Sequence, residues 1–195
     1  SAADQTVRLW NVATGGELLT LQETGTAAVL AIAPDDRWLA TGDAETGLRV
    51  YALPVHTADS AVSPGTGPEP YRLLSGHHGA VTAVAFLPGT SSLLISADAN
   101  GRCRLQQVET GEVQWDVRHH TGRITAIAVS PDGQRIYTAS HDHTVGIIMA
   151  ETGAELGTLP VGQPISSVIV SPDGQQAVTI STLPGAVSPL AARVT

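Results

Sequence analysis

The sequence predicts an all-β chain in which one small antiparallel sheet recurs along the length, and three observations predict it. Apolar residues alternate by twos in short runs, with no apolar run at helical spacing. Glycine and proline punctuate those runs, 20 and 12 of them in 195 residues, as expected where strands are joined by tight turns. The turn Ser130-Pro131-Asp132-Gly133-Gln134 returns as Ser171-Pro172-Asp173-Gly174-Gln175, 41 positions later.

The clearest unit lies at 119 to 153. Ile124, Ile127 and Val129 form an apolar run closed by Ser130-Pro131-Asp132-Gly133, whose proline and glycine preset the backbone angles of a hairpin turn. A second run, 135 to 140, alternates Ile136 and Thr138 against their neighbours before the polar group His141-Asp142-His143. Val145, Ile147 and Ile148 make a third strand, and Glu151-Thr152-Gly153 turns the chain into a fourth, 155 to 159. Four such strands form a sheet too small to bury both faces alone, so the unit needs neighbours.

Copies supply them. Ala13-Thr14-Gly15 and Glu109-Thr110-Gly111 repeat the second turn. In that register Val81, Val84 and Phe86 match Ile124, Ile127 and Val129, then Ile165, Val168 and Val170, with Ala27, Leu30 and Ile32 as a weaker copy. Thr41, Ser96, Thr138 and Thr179 share a second-strand column; Asp4, Glu45, Asn100 and Asp142 share a column in the turn before the third strand. A period of about 40 residues is the mark of a repeat architecture.

With those residues in place the chain resembles the WD-repeat β-propeller family. The resemblance rests on Asp4-Gln5-Thr6-Val7-Arg8-Leu9-Trp10-Asn11, close to that family's third-strand signature, on Gly76-His77 ahead of Val81, Val84 and Phe86, and on the Ser-Pro-Asp-Gly turns. It covers residues 1 to 181. Only the first copy keeps tryptophan, with Tyr51, Gln106 and Ile148 in that column, and the Gly-His pair is whole only once. The implied organisation is a half blade at 1–22, a blade at 27–75 with a Pro/Gly/Ser-rich loop insertion at 54–70, blades at 79–117 and 123–160, and a partial blade at 164–195, its third strand expected at 191–194. Four-blade closure, with the opening strands completing the last unit, is conceivable. The expected architecture is instead an incomplete arc of a seven-bladed propeller, the number typical of the family, with exposed terminal faces.

Composition narrows the function. A net charge of -8 and a pI near 5.2 disfavour nucleic acid and anionic membrane as partners, since phosphate contacts need concentrated positive charge. No apolar stretch is long enough to span a bilayer. Cys103 is alone and shares a column with Val7, Leu48 and Val145, so a buried structural thiol is expected. A single cysteine and no visible targeting segment lean towards a cytoplasmic setting.

The constellation His120, Thr138 and Asp142, copied one unit earlier as His77, Ser96 and Asn100, invites a hydrolase reading. Nucleophilic catalysis needs an accessible hydroxyl and an oxyanion hole, and a hydroxyl within a buried strand has neither. The resemblance implies a structural network instead, in which the histidine bonds the second-strand hydroxyl and the turn acid. Asp4 and Trp10 are its counterparts at the start of the chain. Asn100 in place of the acid predicts a weaker copy in that unit. Trp38 and Trp115 stand outside the signature column and are expected to pack between blades.

His141 and His143 beside Asp142 have the donors for a metal, but His77 and His120 are taken by the network and the rest lie on different blades, so no metal site is assigned. Asp35-Asp36 and the Asp-Gly turns lack the oxygen cage that calcium needs. No haem-attachment motif, P-loop or nucleophile elbow is present, and no cofactor is assigned.

The function expected is a non-catalytic scaffold that binds protein or peptide partners on the face carrying His78, Arg118, His119, Arg123, His141 and His143. The alternative is a sensor or regulatory propeller region of a larger bacterial enzyme, such as a signalling kinase or protease. A propeller with its own active site ranks below both, because no site is visible.

Overall fold

The computed structural model describes residues 5–23, 27–43, 47–53, 71–90, 92–181 and 190–193. Among them every regular element is a strand, and neighbouring strands within each sheet run antiparallel. β1 (Thr6–Trp10) pairs with β2 (Glu17–Gln22) as a two-stranded sheet. Three four-stranded meanders follow. The first is β3 (Ala27–Ile32), β4 (Trp38–Asp43), β5 (Leu48–Ala52) and β6 (Arg72–Leu74); the second is β7 (Val81–Phe86), β8 (Leu93–Asp98), β9 (Arg102–Gln107) and β10 (Val113–Arg118). The third is β11 (Ile124–Val129), β12 (Arg135–Ser140), β13 (Thr144–Met149) and β14 (Glu155–Pro160). A last sheet holds β15 (Ile165–Val170), β16 (Gln176–Ser181) and β17 (Leu190–Arg193). These are β-propeller blades. The insertion expected at 54–70, Asp4 and Glu45 lie outside the described residues.

A bulge recurs in the first strand of each blade. The register shifts between Ala27 and Val29, Val81 and Ala83, Ile124 and Ala126, and Ile165 and Ser167. One unpaired residue flips the alternation that follows, which is why the apolar side chains recur at i, i+3 and i+5 instead of strictly by twos. The bulge residue turns its hydroxyl onto the next strand: Thr82 donates to the Ala97 carbonyl at 3.3 Å, Thr125 to Ala139 at 3.2 Å and Ser166 to Ile180 at 3.0 Å. Thr125 also reaches the Ile165 carbonyl of the next blade at 2.7 Å.

Three second strands are buried on both faces, β4 along its whole length and β8 and β12 at five of six positions, because each is flanked by neighbouring blades, whereas β16 of the last blade is buried at two of six. The apolar clusters accordingly lie between blades. One joins Ile95, Ala97 and Trp115 to Ile124, Ile136 and Ile148, and another joins Trp38, Ala40 and Val50 to Val81, Phe86 and Leu94. Both tryptophans outside the signature column therefore sit at blade interfaces. Trp115 crosses its interface directly, its indole N–H donating to the Ala150 carbonyl at 2.8 Å. Gly153, at φ +71°, leaves the space that ring occupies, since a Cβ there would come within 2.7 Å of Trp115 Cδ2. Cys103 is completely buried in the same cluster, and burial pushes its thiol well above the ordinary value.

Some apolar side chains of β3 and of the last blade are open. Leu30 and Ile32 on β3 are 44% and 48% exposed, Ile169 and Ile180 on the last blade 62% and 53%. Among the described residues β1–β2 and β15–β17 are separate sheets, so the opening strands do not complete the last unit there. Trp10, at the end of β1, is half exposed.

Candidate functional site

Antiparallel meanders put the loop before each first strand and the loop between second and third strands at one end of every blade. Beneath those loops lies a buried polar network, best formed around β12. His120 Nε2 is 2.8 Å from the Thr138 hydroxyl, and His120 Nδ1 is 2.9 Å from Asp142 Oδ2. An imidazole N–H facing the carboxylate leaves Nε2 to accept from Thr138. Asp142 also accepts from the Thr144 hydroxyl and N–H and from the Thr121 N–H. Burial alone would raise its carboxyl, but these donors bring it down to about 2. Gly146 makes room, since a Cβ there would lie 2.8 Å from Thr138 Oγ1 and 3.1 Å from His120 Nε2.

One blade earlier the expected partner differs. His77 Nε2 meets Ser96 Oγ at 2.7 Å, but Nδ1 meets Asp98 at 3.2 Å, not Asn100. Asp98 ends β8, two residues before the turn column, and its other oxygen accepts the Asn100 and Arg102 N–H groups. Asn100 instead donates its side-chain amide to the His78 carbonyl at 3.0 Å. The acid is retained at a shifted position, so the substitution read as a weakened copy leaves this one complete. Burial pushes the His77 imidazole below its ordinary value despite the Asp98 carboxylate, so the pair is a hydrogen bond to a neutral ring near neutral pH.

The blade of β3–β6 inverts the charge. Glu23 lies four residues before its first strand, as His77 and His120 do. Its buried carboxylate accepts from Thr41 at 2.8 Å and from the Tyr51 hydroxyl at 3.1 Å, and lies 3.3 Å from Arg49. Arg49 also bonds Asp43 at 3.0 Å, and Asp43 matches Asp98 at the end of its strand. Glu23, Asp43, Arg49, Asp98 and Thr144 were not singled out from sequence. Glu23 occupies the histidine column without being a histidine, and Asp43 and Asp98 were hidden by a two-residue shift of the acid.

Thr138 and Ser96 are fully buried, as is Thr41 to within 1%. Hydroxyls so enclosed meet no substrate, and what the arrangement can do is satisfy polar groups while tying strands together.

Above this layer the loops are joined to one another. The Gly101 carbonyl accepts the His119 and His120 N–H groups, and the His143 carbonyl accepts those of Val161 and Gly162, so each blade's turn holds the next blade's leading loop. Both turn residues are left-handed, Gly101 at φ 81° and His143 at φ 74°. The His141 N–H donates to the Arg123 carbonyl at 2.9 Å. On this frame His78, Arg118, Arg123, His141 and His143 are exposed. Arg118 is steadied by the His120 carbonyl at 3.1 Å. His119 is not presented with them: it is half-buried, edge-on to Trp115 at 6.3 Å, and burial lowers its imidazole. Among the described residues no group of three metal-ligating side chains converges.

Comparison with known proteins agrees with this construction. The family model described as WD domain, G-beta repeat, matches residues 68–105 and 111–148. The chain is 25% identical over 194 residues to eukaryotic translation initiation factor 3 subunit I of Culex quinquefasciatus, covering 93% of this chain and 58% of that protein. It is 26% identical over 194 residues to human apoptotic protease-activating factor 1, covering 92% of this chain and 14% of the relative. With human coronin-7 it shares 25% identity over 139 residues, 71% of this chain and 14% of coronin-7.

Proposed function

We propose that this chain, which belongs to the WD-repeat family, is a non-catalytic scaffold that captures protein or peptide partners on its loop face. WD repeats typically serve as protein-interaction scaffolds, and the observation that carries the reading here is the pairing of two layers. Exposed Arg118, Arg123, His78, His141 and His143 stand on loops whose backbones are bonded to one another and to a buried network. A surface so held loses little conformational entropy on binding. The test is partner capture by the immobilised chain and by a variant carrying Arg123→Glu, His141→Ala and His143→Gly. Capture falls while the melting temperature holds; unchanged capture removes this face from consideration.

A second reading is a regulatory propeller region within a larger enzyme, such as a signalling kinase or protease. It is supported by two relatives that match this chain over 14% of their own length, as modules of longer proteins do. A kinase or protease motif in the flanking reading frame supports it, and flanks holding only further repeats count against it.

A further inference from the structure

The unpaired charges of the described residues are weighted differently at the two ends of the blades. Among the described residues of the loop face, Asp98 is taken by His77 and two backbone N–H groups, Asp142 by His120 and its loop donors, and Asp116 by Arg102 and Arg104. Burial alone would raise the Asp116 carboxyl, but Arg104 and Arg102 hold it below the usual range. The cations left over are exposed. Arg123 makes no ion pair among the described residues, and Arg118 is held by carbonyl oxygens instead of an acid. At the opposite end, the hairpin turns expose Asp35, Asp36, Asp132, Asp173, Glu109 and Glu151, which outnumber the exposed Arg37 and Arg135 beside them. Among the described residues, a chain of net charge -8 thus presents a locally basic face.

We propose that the loop face selects an acidic peptide segment, one whose side-chain carboxylates are met by Arg118 and Arg123 with the exposed imidazoles of His78, His141 and His143 beside them. The inference rests on the scaffold reading and specifies its partner. Arginine favours carboxylate because its planar donor fork matches two oxygens at once. The backbone bond from His141 to Arg123 ties two loops of one blade together, and Arg118, which ends the preceding blade, is held beside them by the His120 carbonyl. The acidic far end orients an incoming anionic segment, since it repels what the loop face attracts. A polyanion as extended as nucleic acid reaches past the basic loops and meets the repulsion of the acidic remainder, so a short acidic segment fits better.

The test uses fluorescence anisotropy of labelled octaglutamate, with octalysine, a Gly-Ser octapeptide and a single-stranded oligonucleotide as comparators. Octaglutamate is expected to bind saturably and to weaken at least about tenfold between about 50 and about 300 mM salt. The double variant Arg118→Glu, Arg123→Glu loses at least about tenfold in affinity, while Asp132→Asn with Asp173→Asn at the far end changes it less than about twofold. No saturable octaglutamate binding, equal loss from both double variants, or tighter binding of the oligonucleotide overturns the proposal. The scaffold reading is scored separately with an identified protein partner. If that partner is captured and lost on Arg123→Glu while octaglutamate fails to bind, the scaffold stands and acidic selection falls.

Discussion

Removing His77 is expected to cost more than removing His120, although the resemblance-based reading ranks their blades the other way. In His120→Ala two close bonds go, to Thr138 and Asp142, but Asp142 keeps the Thr144 and Thr121 donors and its side chain is 13% exposed. At about 1 kcal/mol net for each lost bond, more where one partner is charged, the loss is about 2–3 kcal/mol. In His77→Ala the Asp98 side chain is 0% exposed, and Oδ2 loses the imidazole, its one side-chain partner among the described residues. An uncompensated buried carboxylate oxygen brings the loss to about 3–4 kcal/mol. The assay is urea unfolding followed by circular dichroism and by tryptophan fluorescence, because repeat arrays need not unfold in one step. Trp115, bonded across the blade interface to Ala150, reports on the region between both mutated sites. Either variant within about 0.5 kcal/mol of wild type, or His120→Ala clearly the more damaging, refutes the reasoning.

Three further outcomes follow from the same geometry. Gly101→Ala should destabilise by about 2 kcal/mol or more, as its Cβ would lie 2.1 Å from the His120 carbonyl oxygen, whereas His143→Gly, relieving a left-handed residue at φ 74°, should be neutral or stabilising by up to about 1 kcal/mol; urea midpoints of the two variants check the pair. His77 is lowered in the folded state, so its contribution is complete above the unfolded value of about 6.5 and is lost as pH falls through the folded one. The urea midpoint should drop from pH 7 to about pH 5, and less so in His77→Gln. Cys103, fully buried with its thiol raised, should resist a thiol reagent in the folded chain and react on denaturation; fast labelling of native protein would contradict the burial.

The blade and its period were legible because turns and apolar columns are local signals that repeat. The turns Ser130 to Gln134 and Ser171 to Gln175, with the Thr-Gly turns ending at Gly15, Gly111 and Gly153, set one register for the chain. The first-strand bulge was not legible, since a run spaced i, i+3, i+5 is compatible with an irregular strand as well as with one inserted residue. The candidate network was legible for His120, Thr138 and Asp142, where the turn column and the geometry coincide. It misled at Asn100, because an acid two residues upstream occupies the same space: Asp98 reaches His77 from the strand end as Asp142 reaches His120 from the turn. Charge inversion around Glu23 was invisible to a search for histidine, yet the same pocket is filled by a carboxylate once Arg49 and Tyr51 face it. Side-chain direction separates His119 from its neighbours, and sequence position says nothing of that.

A double-mutant cycle of His120→Ala and Thr138→Val on unfolding free energy tests most directly whether the buried trio fastens the blade. A structural bond predicts a coupling of at least about 1 kcal/mol, with the double variant less damaging than the sum of the singles. Additivity within about 0.3 kcal/mol would mean that the two side chains do not support one another, and the account of how these blades are held together would fail.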